Sequence, residues 1–98
     1  MIEIGNLIYD EESGLFVYAA SVGKRKAGDI AGYVKTDGYR LIMFDRKYVY
    51  AHRLAWFAVY GSMPAGELDH LNGARDDNRI ANLRLATRSQ NMMNANSG

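Results

Sequence analysis

The chain has 98 residues, 48% of them apolar and 23% charged, with no cysteine and a formal net charge of +1. That length allows one small domain, and the missing cysteines exclude disulfides, thiolate zinc sites and thiol nucleophiles. No apolar run approaches the roughly 18 residues of a membrane-spanning helix, and Met1-Ile2-Glu3-Ile4 lacks the basic start of a secretory signal, so a soluble, cytoplasmic protein with no membrane partner is expected.

The small net charge hides an uneven distribution. Residues 1–23 carry −4, residues 24–60 carry +5 and residues 61–98 balance to zero. A local basic stripe can bind a polyanion even on a nearly neutral molecule. A solvated basic face is the plainer alternative.

In chain order, the apolar runs Asn6–Tyr9 and Leu15–Ala20 flank a turn at Glu11-Glu12-Ser13-Gly14. Ser21–Lys26 reads as a loop. Ile30–Lys35, Tyr39–Phe44 and Tyr48–Ala51 are rich in Tyr, Val and Ile and form an expected three-strand meander. Its first turn is Thr36-Asp37-Gly38, a hairpin signal, and its second is Asp45-Arg46-Lys47. His52–Tyr60 is nearly continuous in apolar residues and reads as a short helix, stopped by Gly61 and Pro64. Apolar on almost all sides, it is expected to be buried, with Trp56 and Phe57 as packing residues ahead of a base-stacking platform, and with His52 capping the helix ahead of helping to dock DNA. Glu67–His70 reads as a short extended piece, Asn72-Gly73 as a tight turn, and Asp76-Asp77-Asn78 as a polar loop. Ile80–Leu85 reads as a second strand. Thr87-Arg88-Ser89-Gln90 matches a capping box, so a helix is expected from Arg88 through Asn91 to Met93.

The stretch Leu68-Asp69-His70-Leu71-Asn72-Gly73, then Asp77-Asn78-Arg79-Ile80-Ala81-Asn82-Leu83-Arg84, then Arg88-Ser89-Gln90-Asn91 carries the chemistry. Phosphodiester hydrolysis needs a base for water and a Lewis acid at the phosphate. A histidine, with a pKa of about 6.5, can accept a proton near neutrality. On an extended segment Asp69 and His70 point to opposite faces. Carboxylate and amide oxygens suit a hard cation such as Mg²⁺ or Mn²⁺.

Over residues 67–91 this pattern resembles the HNH endonucleases of the small phage and homing type, in which a strand–loop–strand–helix unit, the ββα-metal motif, holds one divalent cation. Ala51–Trp56 looks like the helix that precedes the motif, and residues 1–50 match loosely. The resemblance implies an α+β fold: an antiparallel β-rich part over 1–51, a core helix over 52–61, and a ββα-metal unit over 66–95, all in one domain. It implies a metal-dependent DNA endonuclease that nicks double-stranded DNA to leave 5′-phosphate and 3′-hydroxyl ends. His70 stands where the family has its general base. Asp69 and Asn91, the latter 21 residues after His70, stand where it has its metal ligands. Asn82 corresponds to the middle Asn, expected to tie the loop backbone and orient His70, since its amide both donates and accepts. One divalent cation is implied, Mg²⁺ first and Mn²⁺ as the alternative, and the protein would act in the host cytoplasm if phage-encoded.

The bases that could reach nucleic acid are Arg75, Arg79, Arg84 and Arg88 around the motif, and Lys24, Arg25 and Lys26 in the first loop. Guanidinium matches phosphate bidentately; the plainer alternative for each of the four arginines around the motif is a solvated side chain or a salt bridge to Asp76 or Asp77. Lys35, Arg40, Arg46 and Lys47, interleaved with Tyr33, Tyr39, Tyr48 and Tyr50, would make the meander a DNA-contacting platform whose affinity falls steeply with salt. A single site per chain fits a nicking monomer or a homodimer. Relatives of this type commonly continue into a separate DNA-binding module, and the Ser97-Gly98 end reads as that of a shortened protein. The alternative function is a catalytically inactive DNA-binding or structural protein that keeps the fold.

Overall fold

The computed structural model describes residues 1–86; the expected capping box and helix, with Arg88 and Asn91, lie outside the described residues. The described part is α+β. Strands β1 (Ile2–Ile4), β2 (Leu7–Tyr9) and β3 (Phe16–Tyr18) form one antiparallel sheet in that order. Strands β4 (Tyr33–Val34), β5 (Arg40–Phe44) and β6 (Lys47–Tyr50) form a second, antiparallel in that order. Helix α1 (Ala51–Tyr60) follows, then the two-stranded pair β7 (Glu67–His70) and β8 (Leu83–Ala86), with a 3₁₀ turn at Ile80–Asn82 leading into β8. Among the described residues no helix is long and apolar enough to cross a membrane.

The expected meander is present as β4–β6, with its first strand cut to two residues. Ile30 makes only an isolated bridge to Val17 of the first sheet. The hairpin over Thr36-Asp37-Gly38 closes through the Lys35 N–H to the Tyr39 carbonyl at 2.7 Å. At the second turn Asp45 and Arg46 both have positive φ, 51° and 65°. Two such residues between a paired Phe44 and Lys47 make the mirror-image turn whose twist suits a hairpin.

Strand alternation divides the second sheet. Ile42, Phe44 and Val49 face α1, where the Phe44 and Phe57 rings meet edge to face at 6.4 Å. Leu41, Met43, Tyr48 and Tyr50 share the opposite face. α1 ends as expected: Gly61 is left-handed and its N–H returns to the Phe57 carbonyl at 2.8 Å. Its burial is less complete than the apolar run implies. Leu54 and Ala55 are in the core, but Trp56 to Val59 are half-buried and Tyr60 is exposed. The domain is too small to cover both sides of a helix, so Trp56 packs on Tyr60 at 4.5 Å instead of filling the core.

Further corrections concern short pieces. β1 is an added strand, too short to carry a periodic signal. Ile80–Asn82 is 3₁₀ and the strand starts only at Leu83. Tyr50 stands at the N-cap of α1 with no side-chain capping bond, so His52 is a buried residue of the first turn and caps nothing.

The first sheet meets the motif at Gly14. This residue is buried with φ 75°, and a Cβ there would run into the backbone of Asn78 and Arg79. Gly14→Ala is therefore expected to cost about 2–4 kcal/mol, combining left-handed strain with overpacking. Urea unfolding measures this; a loss under 0.5 kcal/mol would contradict the close approach.

Candidate active site

Register sets the site. In the β7–β8 pair Asp69 is opposite Arg84 and His70 is opposite Leu83. Alternation sends Leu68 and His70 to one side and Glu67 and Asp69 to the other. The Asp69 carboxylate, 44% exposed, lies 3.5 Å from the Arg84 guanidinium. His70, half-buried, turns toward the loop that joins the two strands.

That loop is held by two asparagines. Asn82, buried, accepts from the Asn72 N–H at 3.1 Å and donates to Asn72 Oδ1 at 3.0 Å and to the Asp77 carbonyl at 2.9 Å. It closes the loop but does not touch His70. The side chain that does is Asn78, 1% exposed, whose Oδ1 is 2.8 Å from His70 Nε2. An amide oxygen only accepts, so His70 Nε2 donates, and in the neutral ring this leaves the lone pair on Nδ1. Sequence reasoning missed Asn78, because Asp76-Asp77-Asn78 reads as an undifferentiated polar loop.

The other side of His70 is aromatic. Its ring centroid is 5.1 Å from that of His52 and 6.1 Å from that of Tyr39. Tyr39 and Tyr50 in turn pack on His52 at 5.4 and 5.5 Å. The Tyr50 face of the second sheet thus runs from the exposed Tyr33 and Tyr48 to the His70 end of β7. Cations sit on these rings, Arg75 over Tyr39 at 5.0 Å and Lys35 over Tyr50 at 5.2 Å, and Arg25 lies over Tyr18 of β3 at 5.4 Å.

The remaining bases divide by partner. Arg79 grips Asp77 with two bonds of 2.8 and 2.7 Å, which with the Asn72 amide holds the Asp77 carboxyl down at about 2. Arg40 binds Asp76 through two bonds of 2.8 and 3.2 Å. Arg75 donates to the Asp37 carbonyl at 2.6 Å. These bonds tie the motif loop to the second sheet. Lys24, Arg25 and Lys26 are exposed on the Val22–Arg25 turn. The described residues contain no group of three His, Cys, Asp or Glu able to hold a metal, so Asp69 stands there as a single carboxylate, with Asn91 outside the described residues.

His52 is 9% exposed, and its Nδ1 has no hydrogen-bond partner. Burial, then the charges of His70 and Arg53, push its pKa down to about 4. The unfolded chain protonates His52 near 6.5, so between those values it takes up a proton that the folded chain refuses. Stability therefore falls as pH drops from about 6.5 to about 4. The expected contribution is on the order of 2–3 kcal/mol. Urea unfolding at pH 7 and pH 4 reads it: His52→Phe should lose that much less stability on acidification than the wild type, and an equal loss in both would contradict it.

Residues 49–93 match the family described as HNH endonuclease. Among solved structures, the HNH homing endonuclease I-HmuI, described by its DNA binding and cleavage, is similar at 26% identity and a TM-score of 0.61. The match covers 95% of this chain and 53% of that one, so the chain spans about half the length of that protein. No curated protein sequence matches. The segment that contains α1, β7 and β8 is thus the part of the chain that matches the HNH endonuclease family.

Proposed function

We propose that the chain is a metal-dependent DNA endonuclease with His70 as its general base. One observation carries this: at the end of β7, inside the segment matched to HNH endonucleases, the His70 ring is fixed by Asn78 while Asp69 offers its carboxylate on the opposite side of the strand. His70 Nδ1, with its lone pair free of the Asn78 bond, takes a proton from water, which attacks the phosphorus in line and expels the 3′ oxygen. The products carry 5′-phosphate and 3′-hydroxyl ends. Asp69 and Asn91 would hold one divalent cation, which when bound supplies Lewis acidity at the phosphate and the leaving oxygen. So few protein oxygens suit Mg²⁺, which keeps several of its waters, and Mn²⁺ is the substitute. Arg84, 3.5 Å from Asp69, stands where a phosphate would replace the carboxylate as its partner.

Double-stranded DNA would lie along the tyrosine face of the second sheet, with Arg25, Lys35 and Arg75 along it and Lys24 and Lys26 at its border. A single site would cut one strand per visit.

Two measurements test this. His70→Ala should lose cleavage by 100-fold or more, on the order expected for a missing general base, yet bind Mn²⁺ as the wild type does by calorimetry, whereas Asp69→Ala should lose both. Normal cleavage by His70→Ala would overturn the base assignment. Replacing Lys24, Arg25 and Lys26 together by Ala should flatten the dependence of DNA affinity on salt by about two to three phosphate contacts. An unchanged slope would remove that loop from the interface.

A further inference from the structure

We propose that the N-terminal sheet is part of the base-positioning apparatus: Tyr9, acting through Asn78, holds His70 in the tautomer that leaves Nδ1 open. The inference rests on the reading of His70 as the general base. Of its residues, His70 and Asn78 lie inside the segment 49–93 that matches the endonuclease family and Tyr9 lies outside it.

The connection is short and buried. The Tyr9 side chain, 0% exposed, donates its hydroxyl to the Asn78 carbonyl at 2.6 Å across 69 positions of sequence. Its ring packs on Phe16 of β3 at 4.8 Å, so the hydroxyl is aimed by two paired strands. From the same hairpin, Gly14 lies against the Asn78–Arg79 peptide so closely that no side chain fits between. Asn78 is therefore gripped at its carbonyl and pressed along its peptide, which fixes the backbone from which its amide oxygen reaches His70 Nε2 at 2.8 Å.

A free imidazole exchanges its proton between both nitrogens, and the hydrogen bond at one fixes which is open at the other. Without Asn78 the ring could present Nδ1–H to the water, which is the wrong state for a base. Tyr9 and Asn78 touch neither substrate nor water in this scheme; they are positioning residues.

Nitrogen-15 NMR of the histidine rings decides the point. The chain has two histidines, so loss of one set of signals in His52→Phe assigns the other to His70. At pH 8, wild-type His70 should show a proton on Nε2 and a lone pair on Nδ1. Asn78→Ala should give a tautomer mixture and lower kcat for plasmid nicking roughly 10- to 100-fold with little change in KM. Asn78→Asp, which still accepts the bond, should restore the Nε2–H signal. Tyr9→Phe should shift the tautomer ratio partway and lower kcat roughly 2- to 10-fold. If Asn78→Ala does not fold, the wild-type and Tyr9→Phe spectra still decide. A wild-type His70 protonated on Nδ1, or a signal unmoved by Tyr9→Phe, overturns the proposal. Failure of the wild type to nick DNA in Mg²⁺ or Mn²⁺, with the Nε2–H signal in place, overturns the base reading and leaves the positioning contact standing.

Discussion

Neighbouring residues on an extended strand cannot face the same way, and the candidate site follows from that constraint at Asp69 and His70. β7 is extended because it pairs along its whole length with β8, from Glu67 opposite Ala86 to His70 opposite Leu83. A slip of one residue would exchange the two faces, burying the carboxylate and exposing the imidazole to bulk water. Leu68, buried on the same side as His70, makes that slip costly. The carboxylate and the imidazole are thus separated by the thickness of one strand.

Around that strand, polar groups are spent on holding the loop before any is left for a ligand. Asn82 closes it on itself. Arg79 and Arg40 bind Asp77 and Asp76, and Arg75 reaches the turn of the second sheet. A loop so short on apolar contacts would otherwise be mobile. The consequence for electrostatics is that the basic count of the chain overstates its free positive charge. Arg40 and Arg79 are neutralised in bidentate pairs and Lys35 lies 3.4 Å from the Asp37 carboxylate, so attraction for a polyanion falls to bases such as Lys24, Lys26, Arg25 and Arg75.

Local signals carried far in the sequence. The Asp37-Gly38 hairpin, the Gly61 stop and the bounds of Glu67–His70 depend on turn chemistry or on residues a few positions apart, and each is found where the sequence puts it. Asp69, His70 and Asn82 stand out because the motif is contiguous. What stayed hidden depends on distant partners. Asn78 matters through Tyr9, 69 positions away, and no property of a polar loop announces that. His52 reads as a helix cap from its position, but Tyr39, Tyr50 and His70 close over it from three other segments. Three-residue strands such as β1 are too short for alternation to register, and Trp56 is left half-exposed because no second layer covers it among the described residues.

The account stands or falls on hydrolysis itself. Supercoiled plasmid incubated with the wild-type chain should convert to open circles in Mg²⁺ but not in EDTA, and the new ends should be sealed by DNA ligase without prior kinase or phosphatase treatment. Plasmid that stays supercoiled in both Mg²⁺ and Mn²⁺, or nicks that ligase cannot seal because the phosphate is on the 3′ side, would contradict it.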